Sequence, residues 1–239
     1  MKRRVRALLS RTVSLVLGWL ASRSLRTALF VSDTFAMFRA LSAWPVSRRM
    51  WTNHVRTQLM DGWVRREGPA PFRRLIRPND TLAQLRPPTI IGTFHIGPVY
   101  ALGALVERLK GETFVLRGSI GSTDQQRAAA FHRAIECLRA GGFVVVAFDM
   151  TEVQQIAVPF RGRTLRLSRG PFSMARIANA PIVPVVARWV GDEVELIVAD
   201  ALPAGDEQAM AEAAGRWLEG YLREWPGEMS YRIRELMSE

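Results

Sequence analysis

The chain has 239 residues, which is long enough for one α/β domain with a buried core and does not by itself require a second domain. Its residues are 48% hydrophobic and 23% charged, a composition typical of globular proteins that excludes a disordered chain. The single cysteine, Cys137, excludes an internal disulfide and a cysteine-rich zinc site. The three histidines lie far apart in the sequence, so we expect no metal centre.

The net charge of +11 is concentrated in the N-terminal third. Residues 1–77 contain 16 of the 33 Lys and Arg residues but only three of the 22 Asp and Glu residues. The remainder has 17 basic and 19 acidic residues. Such a basic segment indicates a nucleic acid or an anionic membrane surface as partner.

Apolar residues in this segment favour the membrane. They recur at helical spacing over residues 5–20, next to basic residues at the start of the chain, as in helices that lie in a lipid interface. Only 11 uncharged residues separate Arg11 from Arg23, whereas a bilayer span takes roughly 20 apolar residues. We predict that residues 1–66 form basic amphipathic helices on a membrane surface and bind no nucleic acid. Packing of the apolar face on the protein's own core is the alternative.

The next segment, 67–88, is rich in proline and predicts a connector with one short helix at 81–85. Beyond it, β-rich runs alternate with helical segments. Strands are predicted at 89–94, 113–117, 143–148, 182–189 and 194–198, with a turn at 161–163. Helices are predicted at 99–109, 124–140, 173–179, 207–224 and from about 229. This alternation predicts an α/β fold, a mostly parallel mixed sheet flanked by helices, spanning residues 89–239 and integrated with the N-terminal helices as one domain.

Three polar residues stand at the ends of predicted strands. His95 follows the first strand, Arg117 ends the second and Asp149 follows the third. Ligands collect at the carboxyl ends of parallel strands, so these side chains are candidates for one shared cleft. Taken alone, His95 could equally be a surface or packing histidine.

Four sequence blocks together resemble the lysophospholipid acyltransferase superfamily, and within it the lipid A lauroyl and myristoyl acyltransferases. The resemblance runs from about residue 89 to the C-terminus. His95, followed by four residues and then Tyr100, occupies the family's His-x4-Asp/Glu motif. The other blocks are Val158-Pro159-Phe160-Arg161-Gly162, similar to Val-Pro-Phe-Phe-Gly; Ala180-Pro181-Ile182-Val183-Pro184-Val185, similar to Gly-Ala-Pro-Val-Val-Pro; and Tyr221-Leu222-Arg223-Glu224-Trp225-Pro226, similar to a C-terminal helix ending.

The resemblance implies a peripheral membrane acyltransferase without a cofactor. Such an enzyme moves a fatty acyl group from an acyl carrier protein or CoA thioester to a hydroxyl or amine of a lipid-like acceptor. It implies the cytoplasmic face of the inner membrane as location. His95 would be the general base, because an imidazole titrates near neutrality, and no covalent acyl-enzyme is implied.

The motif acid is replaced by Tyr100, a phenol that is neutral at pH 7. Three alternatives remain open. Asp149, or else Glu107 or Glu152, supplies the carboxylate from another element; Tyr100 acts as a neutral partner for an easier acceptor such as an amine; or the site is degenerate and the protein only binds acyl chains or assists assembly.

The resemblance also implies substrate-binding residues. Arg117 is similar to a position that holds a substrate phosphate, although a solvated charge at a strand end explains it equally. Phe160, Arg161 and Gly162 belong to the second block, and Arg163 follows it directly. Arginine side chains suit phosphopantetheine or phosphoglycolipid oxygens. Alternatively, Arg161, Arg163, Arg166 and Arg169 could form one exposed strand face.

Overall fold

The computed structural model describes residues 57, 75–99, 102–103, 109–116, 123–150, 154–191 and 193–238. The predicted N-terminal helices therefore lie outside the described residues, apart from Thr57, which is helical. Tyr100, Arg117, Glu107 and Glu152 also lie outside them.

The secondary structure of the described part follows the predicted alternation. Its strands are β1 Thr89–Thr93, β2 Thr113–Val115, β3 Phe143–Ala147, β4 Gln155–Phe160, β5 Arg163–Ser168, β6 Ile182–Val190, β7 Glu193–Val198 and β8 Met237–Ser238. Its helices are α1 Asp80–Ala83, α2 Asp124–Arg139, α3 Gly170–Ala178, α4 Glu207–Glu224 and α5 Tyr231–Glu235, with a 3₁₀ turn at Pro226–Glu228.

The main sheet has five strands in the order β2-β3-β1-β6-β7. The first four are parallel, and β7 pairs antiparallel with β6. Helices α2, α3 and α4 contribute buried residues to the core on one face of this sheet. The predicted α/β fold with a mostly parallel mixed sheet is therefore confirmed.

Both faces of the main sheet are buried, which explains its continuous apolar strands. On β1, Ile90 faces a large core formed with helices α2, α3 and α4 and the strands β4 and β5. Ile91 points the other way, into a smaller core that includes Ile76, Leu82 and Leu102. The alternation of a strand thus assigns its neighbouring side chains to different cores.

The described part of the predicted connector packs against the sheet. Ile76 is buried and forms a parallel bridge with Val194 of β7. The Asn79 side chain caps α1 and also donates to the carbonyl of Leu196, at 2.8 Å. The short helix predicted at 81–85 is thus present at Asp80–Ala83, and residues 75–88 are tied to the edge of the sheet.

A second sheet, β4-β5-β8, is antiparallel and was not predicted. Arg161 and Gly162 connect β4 to β5 with positive φ angles of 51° and 73°, the conformation of a two-residue hairpin turn that matches strand twist. The pairing of β8 with β5 joins the C-terminus to this hairpin. The predicted turn at 161–163 is confirmed at Arg161 and Gly162, whereas Arg163 begins β5.

Aromatic rings anchor the ends of β1 and β3. The rings of Phe94 and Phe148 lie 4.9 Å apart between centroids, and Phe148 stacks on Phe172 of α3 at 5.3 Å. Glycine is needed at position 92, because a Cβ there would lie 1.9 Å from the Phe148 ring. Residues directly after these two rings are therefore held in place by the core.

Helices α3 and α4 are joined through the buried carboxylate of Glu207. Its oxygens accept hydrogen bonds from Arg169 at 2.7 Å, Arg176 at 2.9 Å and Ser173 at 3.0 Å. Burial alone would raise the pKa of Glu207, but these hydrogen bonds outweigh it and lower the pKa below its usual value of 4.5. The folded state therefore favours the charged carboxylate.

Glu207→Gln is expected to lower the free energy of unfolding by about 1–3 kcal/mol at neutral pH, because it leaves the arginines with a poorer acceptor. A depressed pKa contributes stability above pH 4.5 that is lost as the pH falls through the folded value. The difference between the proteins should therefore shrink when the pH is lowered from neutral to well below 4.5. Urea unfolding at both pH values checks this, with Glu224→Gln at an exposed position of α4 as the control. An equal loss at both pH values would contradict the assigned role of the charge.

Candidate active site

Two neighbouring strands bring His95 and Asp149 to the same edge of the main sheet. β1 and β3 are parallel, and Thr93 pairs with Ala147 in their last register position. The next residue of each strand, Phe94 or Phe148, is buried. His95 and Asp149 follow at the carboxyl edge, where parallel sheets bind their ligands.

His95 and Asp149 form what we call the imidazole–carboxylate pair. The Nδ1 atom of His95 lies 2.8 Å from Oδ1 of Asp149, and the backbone N–H of His95 donates to Oδ2 at 2.7 Å. The Asp149 side chain is 0% exposed, whereas the imidazole is 40% exposed. A buried carboxylate thus holds a ring that reaches the protein surface.

This geometry defines what the histidine can do chemically. An ionised carboxylate only accepts hydrogen bonds, so its contact assigns the proton of the neutral ring to Nδ1. The lone pair then belongs to Nε2, which can accept a proton from a reacting group. The carboxylate would stabilise the resulting imidazolium, as the aspartate does in a serine hydrolase triad.

A tight loop fixes the chain after His95. The N–H of Ile96 donates to the carbonyl of Phe94 at 2.7 Å, and the Ile96 side chain is fully buried. Gly97 has a φ of 60°, and a Cβ at this position would lie 2.0 Å from the carbonyl oxygen of Ala187 on β6. Glycine is required there for both its conformation and its lack of a side chain.

A charged cluster that sequence reasoning missed lies close to this loop. A Cβ at Gly97 would come within 3.5 Å of the Cα of Arg188. Arg188 forms an ion pair with Glu195 of β7 at 2.6 Å, and its guanidinium carbon lies 3.8 Å from the centre of the Trp225 ring. These contacts join β6, β7 and the end of α4, so the local charge of Arg188 is neutralised by Glu195.

The remaining predicted residues occupy different places. Phe160 is buried in the main core. Arg161 and Gly162 form the hairpin turn, with Arg163 directly after it, at the opposite end of β5 from Ser168. Arg163 and Ser168 are five residue steps apart along the strand, about 17 Å, and Ser168 contacts the chain beside Asp149. A substrate-binding role for these residues stays a prediction.

The four arginines around Gly162 do not form one strand face. Arg163 and Arg166 are three residues apart in β5, and side chains of a strand alternate between faces. Arg169 lies beyond the strand and pairs with Glu207. Of this predicted cluster, only Arg166 lies on the exposed face in the middle of the hairpin.

Other chemical groups in the described ranges offer no second centre. No three His, Cys, Asp or Glu side chains of this part lie close enough together to hold a metal ion. Cys137 is buried as predicted, and burial together with the nearby charge of Glu112 raises the pKa of its thiol. Within the same ranges, every helix is too short or too polar to cross a bilayer.

Comparisons with known proteins gave a likeness to solved structures. No protein-family model matches the chain, and no curated protein matches it. Among solved structures, the chain is similar to the 1-acyl-sn-glycerophosphate (LPA) acyltransferase PlsC from Thermotoga maritima, with 13% identity, a TM-score of 0.43, and coverage of 95% of this chain and 99% of that one. At this identity and TM-score, the likeness carries no inference for this chain.

Gly97→Ala should cost more stability than Gly191→Ala, although both glycines have a φ near 60°. A Cβ at Gly191 meets nothing within 4 Å, so only the backbone penalty of about 1 kcal/mol applies. At Gly97 the clash with Ala187 adds about 1–3 kcal/mol of overpacking. Urea unfolding of the two variants measures the difference in the free energy of unfolding. Equal decreases for the two variants would show that the loop at Gly97 is not packed tightly against β6.

Proposed function

We propose that the protein is a peripheral membrane acyltransferase that uses His95 as a general base. The observation that carries this proposal is the buried carboxylate of Asp149 against Nδ1 of a half-exposed imidazole, at the carboxyl edge of a parallel sheet. The resemblance of the surrounding blocks to the lipid A lauroyl and myristoyl acyltransferases supplies the reaction type. The donor is an acyl carrier protein or CoA thioester.

In the proposed reaction, the acceptor hydroxyl or amine attacks the thioester carbonyl as Nε2 of His95 takes its proton. The new C–O or C–N bond forms, the C–S bond breaks, and the imidazolium returns the proton to the leaving thiolate. Asp149 stabilises the imidazolium and holds the ring in the reactive tautomer. The proposed reaction needs no oxidant, reductant or cofactor.

Asp149 would replace the acid that the His-x4-Asp/Glu motif lacks. The contact of Asp149 with the imidazole supports this alternative over Glu107 and Glu152. The single N–H at Nδ1 already donates to Asp149, so it is not available to a second carboxylate. Tyr100 is then not required as a charged partner. The geometry also supports an active enzyme over a degenerate acyl-binding protein, since a binding protein has no need for a buried carboxylate that orients an imidazole.

The membrane part of the proposal rests on the sequence. Residues 1–66 would hold the enzyme on the cytoplasmic face of the inner membrane, and the acceptor would be a lipid or lipid-like molecule. The charge concentrated in residues 1–77 and the apolar face over residues 5–20 support an anionic surface as partner. Arg117, with Arg161 and Arg163, would contact phosphate groups of the substrates.

His95→Ala and Asp149→Asn are each expected to reduce acyl transfer by roughly 100-fold to 10,000-fold, because one removes the base and the other its negative partner. Purified protein with acyl carrier protein and CoA thioesters of several chain lengths, and a lipid extract as acceptor, provides the assay by mass spectrometry. His132→Ala and Asp200→Asn, both at exposed positions, are the matched controls and should keep full activity. Transfer that survives His95→Ala would refute the catalytic role.

Replacing Arg3, Arg4 and Arg6 by Gln should weaken partition onto vesicles with anionic lipids by one to two orders of magnitude, since each basic residue near such a surface contributes about 1 kcal/mol. The control replaces three arginines far from the N-terminus, Arg127, Arg216 and Arg223, by Gln. Sedimentation with phosphatidylglycerol vesicles measures partition. Tighter binding of the parent protein to DNA than to vesicles would contradict the membrane assignment.

A further inference from the structure

The backbone on both sides of Asp149 is held by the end of β5. On one side, the N–H of Ser168 donates to the carbonyl of Phe148 at 2.6 Å. On the other side, the N–H of Met150 donates to the hydroxyl oxygen of Ser168 at 2.9 Å. A single residue of the second sheet thus contacts both neighbours of the acid.

A second side chain of the same hairpin contacts the same residue, Met150. The amide nitrogen of Gln155 donates to the carbonyl of Met150 at 3.2 Å, and the Ser168 hydroxyl also lies 3.4 Å from that oxygen. Gln155 and Ser168 are directly opposite each other in the β4 and β5 register, so their side chains share one face of the hairpin. Together they form what we call the Met150 clamp.

One of the two side chains in the clamp, Ser168, is buried. Ser168 is 3% exposed, and a buried hydroxyl costs free energy unless it is hydrogen-bonded. It meets that requirement with the backbone next to Asp149 rather than with another side chain of the hairpin. The backbone on both sides of Asp149 is therefore hydrogen-bonded to β5.

We propose that Ser168, assisted by Gln155, is a positioning residue for the imidazole–carboxylate pair. This inference rests on the proposed function, since it gives Asp149 the role of the acid. Ser168 fixes the Met150 peptide, that peptide fixes Asp149, and Asp149 fixes the tautomer and direction of the His95 ring. Groups that orient a reacting group indirectly in this way affect activity by about 10-fold to 100-fold in metal sites, and a similar loss is expected here.

The test compares Ser168→Ala with Ser173→Ala. Ser173 also donates its hydroxyl hydrogen bond, to Glu207, but it does not contact the chain around Asp149. Ser168→Ala should lower kcat about 10-fold to 100-fold with KM within about twofold, because the substrate surface is unchanged while the base is misaligned. Ser173→Ala should leave both constants within about twofold. A kcat for Ser168→Ala equal to that of Ser173→Ala would overturn the proposal.

A second readout does not depend on acyl transfer. Nitrogen NMR of protein labelled at its three histidines reports which ring nitrogen carries the proton, with His54→Gln and His132→Gln assigning the His95 signals. The native ring should be protonated at Nδ1, and Ser168→Ala should shift part of the population toward Nε2, the tautomer that a free imidazole prefers. Unchanged His95 signals in folded Ser168→Ala would overturn the positioning role. A shift of these signals in a protein without transfer activity would instead contradict only the proposed function.

Gln155→Leu provides a test that keeps the Ser168 hydroxyl in place if Ser168→Ala fails to fold. It removes one hydrogen bond to Met150 at a half-buried position and preserves most of the side-chain volume. A smaller decrease of kcat, about threefold to tenfold, is expected, together with the same direction of change in the His95 signals. No change in either measurement would overturn the proposal.

Discussion

The buried carboxylate of Asp149 is the interaction on which the rest of the site depends. A charge with no solvent exposure is stable only when hydrogen-bond donors surround it, and His95 provides two, one from its backbone and one from its ring. The ring therefore cannot turn away without leaving a buried charge with fewer donors. This requirement converts a surface histidine into one with a defined tautomer and direction.

Apolar packing supplies the precision that such a contact requires. Phe94 and Phe148 precede the two polar residues directly, and their rings contact each other in the main core. Because Gly92 leaves room for the Phe148 ring, both strand ends lie at a fixed separation. The hydrophobic core thus determines where the polar pair can form. The second sheet contacts the chain neighbours of Asp149, through Ser168 at Phe148 and Met150 and through Gln155 at Met150.

Most elements of the described part could be predicted because their signals are local. Helix α4 begins after the cap residue Asp206 and has the predicted bounds, and the apolar runs of β1, β3 and β6 mark strands buried on both faces. Strand β5 was considered only as an alternative for the arginines around Gly162, because Arg163 and Arg166 do not alternate with period two. Strand β8 has only two residues, and its pairing with β5 joins positions about seventy residues apart, which no local pattern records.

The sequence by itself determined where polar residues follow strands, which segments are apolar, and where positive charge is concentrated, because these depend on neighbouring residues. It left the acid partner of His95 open among several candidates. Only the tertiary structure decided that contact. Strand β3, and not β2, lies beside β1, so Asp149 meets a histidine 54 residues earlier in the chain. The order of the strands depends on how the apolar faces of strands and helices that are distant in sequence pack together. The Met150 clamp also requires the second sheet to pack against the end of β3.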